Sequence, residues 1–306
     1  MQQTKRSRHR HMTSFQVISL GFLSVILLGS LLLMLPIATK SGQCTSFLDA
    51  LFTSTSAVCV TGLVVNDTAT YWSLFGQGII LLLIQIGGMG IITIAIAIAV
   101  ISGRKIGLMQ RSTMQEAISA PTVGGIVRRT QFIIRTTILV EIIGAALLAP
   151  VFCRDFGFWK GIWYSLFHSI SAFCNAGFDL IGIRTPFSSL TSYSVQPIVN
   201  LVIMALIVAG GIGFLTWEDI KIHKWHFKKY KMQSKVIFMV TGLLIFLPAL
   251  YFFCFEFSNV PLTERVWVSL FQSVTPRTAG FNTADLTLLS EVGQMLIIIL
   301  MLIGGS

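Results

Sequence analysis

Three short stretches of the sequence end in a glycine and share one residue pattern before it. They read ALFTSTSAVCVTGL, SLFHSISAFCNAGF and SLFQSVTPRTAGF, and their glycines are Gly62, Gly177 and Gly280. The glycine follows the Phe of a Leu-Phe pair by ten residues in the first two stretches and by nine in the third. Because glycine adopts positive φ and has no side chain, successive carbonyl oxygens could face a common axis. A ring of carbonyls can replace the hydration shell of a potassium-sized cation.

The candidate ligands are the backbone carbonyl groups of the last three residues up to each glycine. These are Val60, Thr61, Gly62, Asn175, Ala176, Gly177, Thr278, Ala279 and Gly280. The alternative is that the glycines only let helices pack closely, as small residues do in membranes. A single glycine would favour packing, whereas three at matching places favour K+ held by backbone carbonyls. Carbonyl rings serve several monovalent cations, so the residues alone leave selectivity open.

The elements that position these stretches are predicted to lie in a membrane. Of the 306 residues, 54% are hydrophobic and 11% are charged, against about 25% charged in soluble domains. Six apolar runs are long enough to cross a bilayer. They lie near 15–38, 72–102, 131–152, 193–217, 234–256 and 287–306.

The segments that carry the glycines are too short and too mixed to cross. They are 45–63, 158–178 and 262–281. Each is predicted as a short re-entrant helix that enters the membrane and returns as a loop. Irregular backbone at membrane depth is tolerated where it is buried in protein or lines a wet cavity.

The net charge of +10 is concentrated in three segments, which lie before residue 15, at 104–129 and at 221–235. Together they hold 15 of the 22 Lys and Arg residues. Because basic loops stay on the cytoplasmic side, the N-terminus is predicted to be cytoplasmic and the glycine loops to enter from outside. Nucleic acid explains this distribution poorly, so no nucleic-acid partner is expected.

A second marker supports a repeated architecture. Glycine pairs follow the three loops, in IGGMG at 86–90, AGGIG at 209–213 and IGGS at 303–306. We predict an all-α polytopic membrane protein made of span, re-entrant pore helix, filter loop and span, repeated around a central pore. The predicted parts are a cytoplasmic tail at 1–14, units at 15–102, 131–217 and 234–306, and cytoplasmic linkers at 103–130 and 218–233. Because the third unit stops one residue after Gly305, we expect it to be incomplete and the chain to be truncated.

The loops SAVCVTGL, AFCNAGFD and TPRTAGFNT, with the glycine-pair markers, resemble those of the Trk/Ktr/HKT superfamily of cation transporters. The resemblance covers the sequence from Ser14 onward and is greatest to the Ktr-type membrane subunit. It implies potassium uptake across the cell membrane through four units with one filter glycine each, so a fourth unit is expected to be missing. Members with serine in the first loop lean toward sodium, so Gly62 favours potassium.

The same resemblance implies partners and a gate. The partners are a second copy, in a homodimer with one pore per subunit, and a cytosolic nucleotide-binding ring. The gating loop would begin at Gly304 and Gly305. The sequence holds neither GxxxxGK[ST] nor GxGxxG, so no cofactor is expected in this chain, and K+ or Na+ is the transported ion. The basic, aromatic segment 218–233 suits membrane lipids or docking of the regulator.

Acidic residues follow each filter glycine by two to five positions. They are Asp67, Asp179 and Asp285. At the outer mouth of a pore they would concentrate cations. An equal alternative is that these carboxylates are simply solvated or cap helices.

Arg277 and Glu141 are predicted to be structural clamps. Arg277 precedes Gly280 by three residues and should face away from a cation path, paired with Glu264 or Asp285. Glu141 lies within the third span, where an acid costs about 3 kcal/mol. Bracing a pore helix or loop is favoured for it over ion binding. His168 is predicted to be a packed, hydrogen-bonded residue.

Potassium conduction, with sodium linkage left open, is the leading function. Sodium or non-selective cation transport is the alternative from the same class. An intramembrane enzyme would need facing acid, base or nucleophile pairs, and Glu141 with His168 is a thin candidate, so no enzymatic activity is expected. A non-conducting scaffold would not need three matched glycine loops.

Overall fold

The computed structural model describes residues 13–90, 93–94, 125–183, 185–224 and 226–304. Within these residues the regular structure is helical, apart from an isolated bridge between Thr39 and Trp72. The described part of the chain contains ten α-helices longer than a single turn. They are α1 (Ser14–Leu33), α2 (Phe47–Val58), α3 (Leu74–Met89), α4 (Ile126–Phe156), α5 (Phe158–Phe173), α6 (Pro197–Gly211), α7 (Phe214–His223), α8 (Met232–Tyr251), α9 (Leu262–Val274) and α10 (Glu291–Ile303).

Among the residues that the structure describes, three single stretches are long and apolar enough to cross a membrane. They are Phe15–Leu33, Val127–Phe156 and Met232–Glu256, the last of which includes a π-helical turn after α8. Apolar side chains such as Leu28, Leu139 and Phe246 are exposed on these helices. An apolar outer surface is what lipid-facing helices require, because the surrounding solvent is itself hydrocarbon.

The helix that follows the glycine loop in each unit ends at a glycine marker. Helix α3 ends at Met89 before Gly90 (φ +80°), α6 ends at Gly211 close to Gly213 (φ +77°), and α10 ends before Gly304 (φ +69°). The predicted span at 193–217 is not one continuous helix: α6 and α7 are together long and apolar enough to cross, but they meet at a bend of 97°. The uniformly apolar sequence hides this break, which depends on the backbone freedom of Gly213. Of the predicted continuation past Met89, only Gly90 and residues 93–94 lie within the described residues.

Helices α2, α5 and α9 are the short helices that carry the glycine loops at their C-terminal ends. The Ser46 hydroxyl caps α2 by accepting the Asp49 N–H at 3.1 Å, and α9 begins directly after Pro261. Each short helix packs against the long helix that precedes it. Helix α3 also contacts α5, and α6 contacts α9, so neighbouring units adjoin in chain order.

Candidate ion-coordinating loops

The first two loops leave their helices by the same backbone turn. Val60 and Asn175, each two residues before a filter glycine, adopt positive φ of 57° and 56°. The amide that follows each of them returns to the pore helix. Thr61 N donates to Ser56 O at 2.9 Å, and Ala176 N donates to Ser171 O at 2.7 Å.

The third loop reaches its glycine by a different route. Pro276 cannot donate a hydrogen bond and ends the α-helical pattern, and Thr275–Arg277 form a 3₁₀ turn. Thr278 is extended at φ 172°, and Thr275 O accepts the N–H groups of Ala279 at 3.0 Å and Gly280 at 3.4 Å. Gly280 still has φ +80°, close to Gly62 at +73° and Gly177 at +71°.

The three loops meet at their glycines. A methyl group on Gly62 would overlap the carbonyl oxygen of Ala176, and one on Gly177 would overlap the carbonyl oxygen of Ala279. A methyl group on Gly280 would lie 3.7 Å from the Cα atom of Gly177. The structure therefore brings the predicted filter residues of separate units together, with the carbonyl before one glycine against the glycine of the preceding loop.

Buried side chains and hydroxyl groups hold the residues that follow the glycines. Phe178 and Phe281, which follow the second and third glycines, are fully buried. Their carbonyl oxygens accept hydrogen bonds from Ser171 Oγ at 2.7 Å and Thr275 Oγ1 at 2.5 Å. In the second and third units, a hydroxyl group at or just after the end of the pore helix thereby fixes the residue immediately beyond the glycine.

His168 ties α5 to the second loop. Its Nε2 accepts the backbone N–H of Leu180 at 3.3 Å, and its Nδ1 lies 2.7 Å from Tyr164 O. These contacts require the tautomer with the proton on Nδ1. The side chain is fully buried and packs near Phe152 and Phe281.

The glycine-pair markers lie beneath the ends of the pore helices. A methyl group on Gly87 would overlap Val58 O, and one on Gly210 would overlap Phe173 O. A methyl group on Gly304, the corresponding glycine of the third unit, would lie 3.8 Å from Arg277 O. Sequence reasoning used these pairs to recognise the repeat and missed this packing role. The sequence did contain a signal for this role, since each unit has a residue without a side chain at the same place in its glycine pair. Gly305 of the predicted gate lies outside the described residues.

Three acidic side chains follow the filter glycines, and two of them are buried to some extent. Asp67 is buried and accepts from Thr70 N at 2.8 Å and Phe187 N at 3.0 Å, which joins the first unit to the segment after the second loop. Burial raises the pKa of Asp179 to about 6. The Ile181 N–H opposes that shift, and the charge of Asp67 adds to it.

Asp285, by contrast, is exposed and caps the 3₁₀ turn at Leu286–Leu288. Hydrogen bonds from the hydroxyl group and N–H of Thr287 lower its pKa.

Arg277 is buried beside the third loop. Within the described residues its guanidinium donates to Gly304 O at 3.5 Å and to Thr241 Oγ1 at 3.4 Å. The prediction that Arg277 pairs with Glu264 or Asp285 was wrong. Glu264 accepts from Ser194 at 2.9 Å, and Asp285 accepts from Thr287. The side chain therefore contacts the glycine marker instead of either acid.

Glu141 lies buried on α4 between two units. Its two carboxylate oxygens are 2.9 and 3.1 Å from Gln85 Nε2 on α3, and its backbone carbonyl accepts from Ser169 Oγ on α5 at 2.7 Å. Gln85 Oε1 in turn lies 3.9 Å from Cys174 Sγ, at the end of α5. This network connects a span of the first unit to the pore helix of the second.

The fold and these loops define a class, that of polytopic helical membrane proteins whose re-entrant glycine loops converge. The sequence matches the family model for TrkH, cation transport protein, over residues 1–306. The chain belongs to this family.

Its relatives include potassium uptake proteins. It is 41% identical to the potassium/sodium uptake protein NtpJ of Enterococcus hirae, over 99% of this chain and 66% of NtpJ. It is 40% identical to the Ktr system potassium uptake protein B of Bacillus subtilis, over 100% of this chain and 68% of that protein. The chain thus spans about two thirds of the length of these relatives.

The fold is similar to the crystal structure of the potassium transporter TrkH from Vibrio parahaemolyticus. The TM-score is 0.69 at 20% identity, with 99% of this chain and 59% of the other covered. At this identity the likeness concerns the fold.

Proposed function

We propose that this chain takes up potassium across the cell membrane, as the ion-conducting part of a channel-like transporter. One observation carries the proposal: the carbonyl groups of Ala176 and Ala279 lie against the glycines of the neighbouring loops. Carbonyl oxygens gathered in this way can replace the water around K+. The potassium uptake proteins among its relatives support the same substrate.

The proposed filter consists of the backbone carbonyls of Val60–Gly62, Asn175–Gly177 and Thr278–Gly280. Asp67, Asp179 and Asp285 would form the outer mouth, with Asp67 also joining two segments through its hydrogen bonds. Glu141 and Arg277 would be positioning residues, since both contact the supports of the loops. Gly304 and Gly305 would begin the gating region. We propose no enzymatic activity, because these groups suit coordination and packing.

The test compares two glycine substitutions of the same chemistry. Gly62 and Gly42 both have positive φ, but nothing lies within 4 Å of a methyl group on Gly42. The complete gene product is reconstituted in liposomes, and K+ and Na+ fluxes are measured for the wild type, Gly62→Ser and Gly42→Ser. We expect Gly62→Ser to reduce the preference for K+ by at least about tenfold, equivalent to about 1.4 kcal/mol, and Gly42→Ser to leave it unchanged.

Equal K+ preference in all three proteins would contradict the filter. If neither ion moves through the wild type, the assay is repeated with the cytosolic partner present. Continued absence of flux from a folded protein would then favour a non-conducting scaffold.

Sodium transport is the second candidate, because a relative at 41% identity is named a potassium/sodium uptake protein. The two candidates share the same carbonyl chemistry and differ in the ion that the completed filter prefers. Wild-type flux that is equal for the two ions, or greater for Na+, would favour this second candidate.

The proposed assembly is a homodimer in the cell membrane with its N-terminus in the cytoplasm. Membrane lipids and a cytosolic nucleotide-binding ring would be its partners. The name of the Ktr system relatives supports a multi-component system. The segment at 218–233 would face the regulator, since it includes the exposed bases Lys228 and Lys229.

A further inference from the structure

A half-open groove of about 880 Å³ lies between the N-terminal part of α4 and helix α7. It is separate from the glycine loops. Four of the described residues that line it are basic. They are Arg128, Arg129, Arg135 and Lys221. Glu218 is the acidic residue among the described lining residues.

The positive charge of the groove is only partly neutralised. Glu218 Oε1 lies 3.2 Å from Arg129 Nε. Among the described residues, no acidic side chain pairs with Arg128, Arg135 or Lys221. Lys221 Nζ lies 4.3 Å from the ring centroid of Phe132, so this cation is held at the groove wall. Arg128 and Arg135 are exposed and lie seven residues apart, which places them on one face of α4.

Arg129 has a buried donor without a partner. Its Nη1 atom is buried and has no hydrogen-bond partner among the described residues. An unsatisfied buried donor is costly, and more so on a charged group. The first turn of α4 holds no acidic residue, so its arginines stand at the positive end of the helix dipole, where an anion is favoured. The structure therefore contains donors and positive charge for an anion.

The groove also has an apolar side. Phe132, Leu139 and Ile222 line it together with the bases, and Leu139 is 58% exposed. The exposed face of α4 continues with Ile142 and Ile143, farther into the predicted span. Basic residues at one end and an apolar surface leading into the membrane match a molecule with an anionic head and hydrocarbon chains.

We propose that this groove binds an anionic phospholipid. Arg128, Arg129 and Arg135 would contact its phosphate group, and an acyl chain would follow α4 past Leu139. Basic pockets between membrane helices are suited to such head groups. A soluble phosphate would use the same arginines but would gain nothing from the apolar wall, so the lipid is favoured.

The test measures lipid binding, so its outcome does not depend on ion transport. The complete gene product in neutral detergent is titrated with phosphatidylglycerol or with phosphatidylcholine of the same acyl chains, and bound lipid is counted by native mass spectrometry. The variant is Arg128→Gln/Arg135→Gln, whose side chains are exposed. The matched control is Arg154→Gln/Lys160→Gln, which removes the same charge from exposed positions outside both the groove and the segment 218–233.

We expect the wild type and the control to prefer phosphatidylglycerol, and the arginine variant to bind it about thirtyfold more weakly, since two bases near a head group contribute roughly 2 kcal/mol. Equal losses in the variant and the control would overturn the proposal, as would equal binding of the two lipids to the wild type. In a third arm, inorganic phosphate that competes as well as the lipid would assign the groove to a soluble anion. If the double variant is not recovered, Lys221→Gln takes its place, with an expected loss of about fivefold.

Discussion

The second and third loops place their glycines alike but are supported differently. The second loop uses a left-handed residue, Asn175, and the third uses an extended Thr278 after a 3₁₀ turn. Arg277 reaches from the third loop to Gly304. The same glycine geometry is therefore reached from loops of different length. What the two loops share is the positive φ of the glycine and its close approach to a neighbouring loop.

The second and third loops also differ in the side chains that support the residues beyond their glycines. His168 in α5 accepts the Leu180 N–H. Gln272 has the matching place after the Leu-Phe pair of α9, and it is fully buried with neither amide atom bonded among the described residues. The Oγ1 atom of Thr283, three residues past Gly280 as Leu180 is past Gly177, is also unpartnered there. The second loop thus has a satisfied polar anchor where the third has an unsatisfied one.

Alanine substitutions at the filter glycines should give the largest difference between the loops. Gly62→Ala and Gly177→Ala would bring a methyl group onto a backbone carbonyl, whereas Gly280→Ala meets no atom closer than 3.7 Å. In all three variants, alanine in a backbone conformation with positive φ costs about 1–2 kcal/mol. This cost alone should reduce K+ flux in Gly280→Ala by about tenfold. The other two should reduce it well beyond that.

The measurement is K+ flux into liposomes, normalised to the amount of folded protein. Equal losses at the three glycines would mean that the contacts between loops do not matter for conduction.

Apolar substitutions at the matched polar positions should change stability in opposite directions. His168→Leu removes the partner of a buried N–H and should lower the free energy of unfolding by about 1–3 kcal/mol. Gln272→Leu removes two buried, unsatisfied groups and should raise it by about 1 kcal/mol.

Thermal unfolding of the purified protein in detergent measures both variants. A loss of stability in Gln272→Leu similar to that in His168→Leu would show that Gln272 has a partner, such as a buried water.

Acidification should distinguish the outer residues of the second and third loops. With a pKa of about 6, Asp179 is ionised at pH 7.5 and only about a tenth ionised at pH 5. Its negative charge, which would attract cations, is therefore lost as the pH falls through about 6. The pKa of Asp285 is lowered, so Asp285 stays ionised over this range.

We expect K+ uptake at low K+ to fall about threefold between pH 7.5 and 5. Asp179→Asn should remove this pH dependence, and Asp285→Asn should keep it. A pH profile unchanged in Asp179→Asn would exclude Asp179 as the titrating group.

The repeat made much of the fold accessible from the sequence. The short helices α2, α5 and α9 lie within the predicted re-entrant segments, because a Leu-Phe pair at a fixed distance from a glycine marks each of them. The convergence of Gly62, Gly177 and Gly280 followed from the same pattern.

Features set by contacts between distant residues were not accessible. The bend between α6 and α7 lies in sequence that is apolar on both sides, so hydropathy could not reveal it. The partners of Arg277 are a backbone carbonyl and a hydroxyl group, and charge pairing could not identify either. Gln85, which binds Glu141, is a neutral residue within an apolar run and gave no signal.

The order in which the loops contact one another along the chain has a consequence for biosynthesis. The wall beside Gly62 is made by Ala176, and the wall beside Gly177 is made by Ala279. The first and second loops therefore meet these neighbours only after the next unit has been translated and inserted. Until then, the carbonyl that ends each of their pore helices has a contact within its own unit, at Gly87 or Gly210. Contacts within one unit can thus support its loop before the next unit has been inserted.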